Sequence, residues 1–125
     1  YIKEKQNVLS SYYHAFDGVL KAKILYNRET SSDEICPLFL PIILDSKVIT
    51  DRTVLMDKLK KAGIDSTIHY PMVYDLSDYR QILGNLKGSC PVAEDISTRV
   101  LSLPCHGEVT RKDISTIVKN IESLL

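Results

Sequence analysis

The 125-residue chain has no tryptophan, only two phenylalanines and few glycines or prolines, five of each, and its sixteen basic residues are balanced by sixteen acidic ones. A formal charge of zero excludes the strong basic footprint with which proteins hold nucleic acid or an anionic membrane surface. The glycines, Gly18, Gly63, Gly84, Gly88 and Gly107, match neither G-x-G-x-x-G nor G-x-x-x-x-G-K-[ST], so nucleotide binding through those phosphate loops is excluded. The longest apolar stretch, Ile35 to Leu44, contains two prolines and is too short for a transmembrane helix. Three widely spaced cysteines, Cys36, Cys90 and Cys105, with no C-x-x-C pair, fit a reduced cytoplasmic protein better than a disulfide framework. The first residues, Tyr1 to Lys5, carry no initiator Met and no apolar signal region, as expected of a chain cut from something longer.

What the chain does have is apolar content of 44%, enough for one domain with its own core. Val8, Tyr12, Ala15, Phe16, Val19 and Leu20 recur at helical spacing and predict an amphipathic helix over 5–20. Residues 27–34 (NRETSSDE) read as a polar surface loop. Pro37 to Leu44 reads as a buried strand that its prolines push to a sheet edge or break near Pro41. Thr50 or Asp51 can cap a helix carrying Leu55, Leu59 and Ala62, with Gly63 placed to end it. Ile64 to Tyr70 alternates like a strand that Pro71 stops or confines to an edge, and Leu76 to Leu86 fits a short helix ending around Gly84. Pro91 opens a further helical turn, and Val100 to Leu103 reads as another strand. Thr110 and Asp113 form a capping-box start for a last helix with Ile114, Ile117, Val118, Ile121 and Leu125 on one face. The fold class is therefore α/β (α+β), a two-layer sandwich with about three strands covered by helices.

Three groupings carry potential chemistry. Cys105 beside His106 invites a thiolate–imidazole reading, but neighbours on extended chain point to opposite sides, and a buried Cys after Pro104 is the plainer account. A metal site would have to gather Cys36, Cys90, Cys105, His69 and His106 from across the fold, with a spacing that resembles no zinc module. His69-Tyr70-Pro71 places an imidazole and a phenol where proline turns the chain, a rim position suited to a site. Spacing alone leaves open whether those rings bind something or merely pack.

Several stretches taken together resemble a known family. They are Gly63-Ile64 after a helix, His69-Tyr70-Pro71, Pro91-Val92-Ala93-Glu94, Arg99 to Pro104 (RVLSLP) and Thr110 to Ile114 (TRKDI), in that order. They are similar to the carboxyl-terminal part of the DegT/DnrJ/StrS family of pyridoxal-phosphate-dependent sugar aminotransferases, and Ile2 to Tyr13 resembles the helix that leaves that family's large domain. The chain departs from the pattern at Met72 to Ser77 (MVYDLS), where many members continue with Pro-x-His and Gln, and at Gly107, where a proline is common.

The resemblance implies the small domain of the aspartate-aminotransferase fold (fold type I), with 1–26 as the helix from a large domain and 27–125 as the small C-terminal domain. It implies an enzyme that transfers an amino group, usually from glutamate, to a keto group of a nucleotide-linked sugar for cell-surface polysaccharide or related glycan synthesis. Pyridoxal phosphate would act as electron sink, held on a lysine of the large domain outside this chain, so that these 125 residues alone bind no cofactor and are inactive. The implied partners are the nucleotide sugar, the amino donor and a second subunit in a homodimer. His69 and Tyr70 are the implied substrate-binding residues at the rim. The alternatives are a free-standing, non-catalytic binding or regulatory module of the same fold, and a small thiol- or metal-dependent enzyme built on Cys105, His106 and His69.

Overall fold

A computed structural model describes residues 1–26, 34–48 and 52–124. The elements are α1 (Ile2–Ala15), β1 (Ala22–Ile24), β2 (Leu40–Leu44), α2 (Arg52–Lys61), a 3-10 turn (Val73–Asp75), α3 (Ser77–Leu83), α4 (Pro91–Arg99), β3 (Val100–Leu103) and α5 (Arg111–Glu122). The strands form one antiparallel sheet in the order β1-β2-β3. Ala22 pairs with Leu44 and Ile24 with Ile42, while Leu40 pairs with Leu103 and Ile42 with Leu101. Paired residues share a face, so Ala22, Leu40, Ile42, Leu44, Leu101 and Leu103 all turn one way and are buried. Against them pack Val8, Leu9 and Tyr12 of α1, Leu55 and Leu59 of α2, and Ile114, Ile117 and Ile121 of α5. The architecture is the two-layer one expected.

The last helix forms as its sequence dictates. Thr110 Oγ1 accepts from the Asp113 amide at 3.2 Å and Asp113 Oδ2 accepts from the Thr110 amide at 2.9 Å, which satisfies two donors that a helix start otherwise leaves unpaired. At its other end the Lys21 ammonium donates to the carbonyl of Glu122 at 2.7 Å and to that of Leu124, a cation where the helix dipole favours one.

Three expectations need correction, and one element was not foreseen. The first helix ends at Ala15, five residues early; the chain turns at Gly18 with φ +80°, and Leu20 stands 82% exposed. A strand at Ala22–Ile24 had no signal, because three residues are too few to show a period. Pro41 does not push its strand to an edge, since β2 is the central strand. The Pro41 carbonyl accepts from the Leu25 amide, so its ring nitrogen faces β1 and not β3, at the end of the β1 ladder, where only the one bond back to Leu25 is missing. Ile64 to Tyr70 is not a strand; its pairing shrinks to one bridge, in which Thr67 and Ser102 exchange both backbone hydrogen bonds at 3.1 and 2.7 Å. The next free carbonyl along β3, that of Val100, is taken at 3.1 Å by the Arg52 guanidinium, which also donates to the carbonyl of Ser97. A side chain thus occupies the place of a longer fourth strand. The polar loop at 27–33 and the caps Thr50 and Asp51 lie outside the described residues, as does Leu125.

Candidate functional site

The Thr67–Ser102 bridge holds the chain at the β3 edge of the sheet, and His69 and Tyr70 follow at once. His69 lies on the ring of Phe39, which precedes β2, with centroids 4.3 Å apart and planes 26° from parallel. Tyr70 tilts against His69 at 5.0 Å and 58°, and its side chain stands 70% exposed. The peptide bond between the two is cis. Next to this pair a cleft of about 150 Å³ is lined by Phe39, Ser66, Thr67, Ser102 and Pro104, among others. His69 Nδ1, Ser66 Oγ and Ser102 Oγ are all buried without a hydrogen-bond partner. Buried polar atoms are normally paired, so this rim offers three hydrogen-bonding groups around a small apolar patch.

Beyond Tyr70 the chain is tied down by one acidic side chain. Glu94 Oε1 accepts from the Tyr74 hydroxyl, from the Gly88 amide at 2.7 Å and from the Cys90 amide at 3.4 Å. The Tyr74 hydrogen bond, ahead of the two backbone ones, holds the Glu94 carboxyl below the usual carboxylate range, because each donor favours the charged form. Desolvation, and after it the hydrogen bond to the same carboxylate, raises the phenol of Tyr74.

Cysteine chemistry finds no support in the geometry. Cys105 is buried in the core and His106 is exposed. Burial pushes the Cys105 thiol up to about 11, leaving almost no thiolate at neutral pH. Among the described residues no three His, Cys, Asp or Glu side chains come together as metal ligands. A thiol reagent at pH 8 is expected to modify the exposed Cys36 and Cys90 rapidly, and Cys105 only after unfolding. Equal rates at all three sites, followed by mass spectrometry, would contradict this burial.

A larger groove, about 640 Å³, lies elsewhere, between α1 and α5, lined by His14, Arg111, Ile114, Val118 and Lys119 among others. No candidate residue borders it. The rim is the better site because its rings and unpaired polar atoms converge, whereas size alone orients no ligand.

Residues 1–122 match the DegT/DnrJ/EryC1/StrS aminotransferase family. The chain belongs to that family. It is 32% identical over 85 residues, 68% of its length, to the UDP-4-amino-4,6-dideoxy-N-acetyl-beta-L-altrosamine transaminase of Campylobacter jejuni, covering 22% of that relative. Its fold superposes with a TM-score of 0.74 on Helicobacter pylori PseC, an aminotransferase involved in the biosynthesis of pseudoaminic acid, at 23% identity over 97% of this chain and 32% of that one. It superposes with a TM-score of 0.79 on the PLP form of the Streptococcus pneumoniae putative sugar aminotransferase Spr1654, at 20% identity over 98% of this chain and 30% of that one. The chain thus spans a fifth to a third of the relatives it matches.

The one buried lysine among the described residues, Lys5, has its ammonium over the Tyr1 ring at 4.9 Å. As for the site residues, the structure brings His69 and Tyr70 together. Phe39, Ser102, Tyr74 and Glu94 were missed as their supports. Glu94 had a signal, its place in Pro-Val-Ala-Glu; Tyr74 had none.

Proposed function

We propose that this chain is the small C-terminal domain of an aminotransferase that moves an amino group, from glutamate, to a keto group of a nucleotide-linked sugar in glycan biosynthesis, working as a cytoplasmic homodimer. What carries the reading is the family match over residues 1–122, with a relative that is itself a transaminase of a UDP-linked amino sugar. Pyridoxal phosphate, held by the rest of the enzyme, would supply the electron sink. The contribution of this chain is to close the rim: Tyr70 presents an exposed ring to the sugar, and His69, seated on Phe39, offers a hydrogen-bonding nitrogen beside it. Neither group is asked to carry the proton transfers at the cofactor.

The test is made on the protein encoded by the complete reading frame. Loaded with pyridoxal phosphate and given glutamate and a UDP-linked 4-keto sugar, it is expected to form 2-oxoglutarate and the amino sugar. Replacing Tyr70 by Ala is expected to raise KM for the sugar about tenfold while the reaction with glutamate alone keeps its rate. A full-length protein that converts the cofactor with no amino donor and aminates no keto sugar overturns the proposal in favour of a non-catalytic module.

A further inference from the structure

From Asp65 to Arg99 no residue is buried, so hydrophobic packing does not hold this stretch in place. It is fastened at its start by the Thr67–Ser102 bridge and the His69–Phe39 stack, and at its end by Arg52 on the Ser97 carbonyl and Arg99 on the Leu44 carbonyl. Between these points one oxygen joins the strands of the loop. Glu94 Oε1 takes the Tyr74 hydroxyl, four residues beyond Tyr70, and the amides of Gly88 and Cys90 that lead into α4. Remove that acceptor and three donors lose their partner together, in a segment with no fully buried side chain to restrain it.

We propose that Glu94 is the positioning residue of the substrate rim, acting through the Tyr74 hydroxyl to fix the strap 69–76 that presents His69 and Tyr70 to the nucleotide-linked sugar. The inference rests on the function proposed above. Its chemistry is one of placement: an ionised carboxylate with three converging donors holds a segment more firmly than a neutral acceptor, and a strap free to drift loses sugar affinity without touching the cofactor chemistry.

The experiment uses the full-length enzyme with Tyr74→Phe, Glu94→Ala and Glu94→Gln. Tyr74→Phe removes one oxygen from a half-exposed ring and leaves the core untouched. In Tyr74→Phe and Glu94→Ala, KM for the keto sugar is expected to rise about five- to tenfold, with the glutamate half-reaction, followed by the cofactor absorbance, within about twofold of the parent. Glu94→Gln, whose amide oxygen still accepts, is expected to recover part of the loss. Hydrogen exchange at the Asp75 and Leu76 amides, which bond to Met72 and Val73, is expected to quicken in Tyr74→Phe and Glu94→Ala. Unchanged exchange, or a parallel fall in both half-reactions, overturns the inference. A parent inactive on keto sugars with quickened exchange in its variants would instead keep the strap and retire the sugar assignment.

Discussion

Replacing Tyr12 by Ala is expected to lower the stability of the 125-residue chain by about 3–5 kcal/mol, the cost of emptying a core aromatic site. Tyr12 is fully buried in the last turn of α1, and it is the point where the helix layer reaches through to the sheet side. Its ring touches Phe16 at 6.2 Å, and its hydroxyl donates to the Pro104 carbonyl at 2.9 Å, just past the end of β3. Burial pushes its phenol far above the ordinary range, so it remains a neutral donor at all working pH values. Tyr12→Phe keeps the ring and drops the bond, and is expected to cost only about 1 kcal/mol. Because a domain of this size is stable by about 5–15 kcal/mol in all, urea denaturation separates the two variants easily. A Tyr12→Ala chain within about 1 kcal/mol of its parent would show that α1 does not dock on the core as described.

A second large effect concerns α3. In the 125-residue chain its amides are expected to exchange with solvent about a thousandfold faster than those of Ile117 and Ile121 in α5. Core amides exchange only through global opening, and a stability of about 5 kcal/mol slows them by that order. The seven residues of α3 bury no side chain; Tyr79, Ile82 and Leu83 stand exposed instead. A helix of that length has little stability of its own in water. Comparable protection in α3 and α5 would show that something in this chain covers those side chains. An exposed apolar series of this kind, continued by Val73 and Leu76, is the sort of surface that interactions cover.

Reading the sequence succeeded where information is local. Helix α5 was legible because its capping box and its Ile114–Ile117–Ile121 face lie within one segment, and β3 because Pro104 marks its end. Pro41 misled, since whether a missing amide matters depends on the register with β1, which no single strand states. The bridge at Thr67 replaced a strand because Arg52, from another element, occupies Val100. The site shows the same division. His69 and Tyr70 were legible as rings at a forced turn, whereas the Phe39 platform lies thirty positions away in sequence and the Tyr74–Glu94 link spans twenty. Contacts of that range belong to the fold, not to any local pattern.

The absence of buried residues from 65 to 99 bears on how such a protein can change over time. Substitutions on a surface with no packing role usually alter stability by less than about 0.5 kcal/mol. The rim therefore lies on chain that mutation can explore at little folding cost, provided Glu94 and its three donors stay. On the function proposed above, recognition falls on His69 and Tyr70, which are not among the residues that bury the core. New substrate preferences could accumulate in the strap while α1, α2, α5 and the sheet stay as they are.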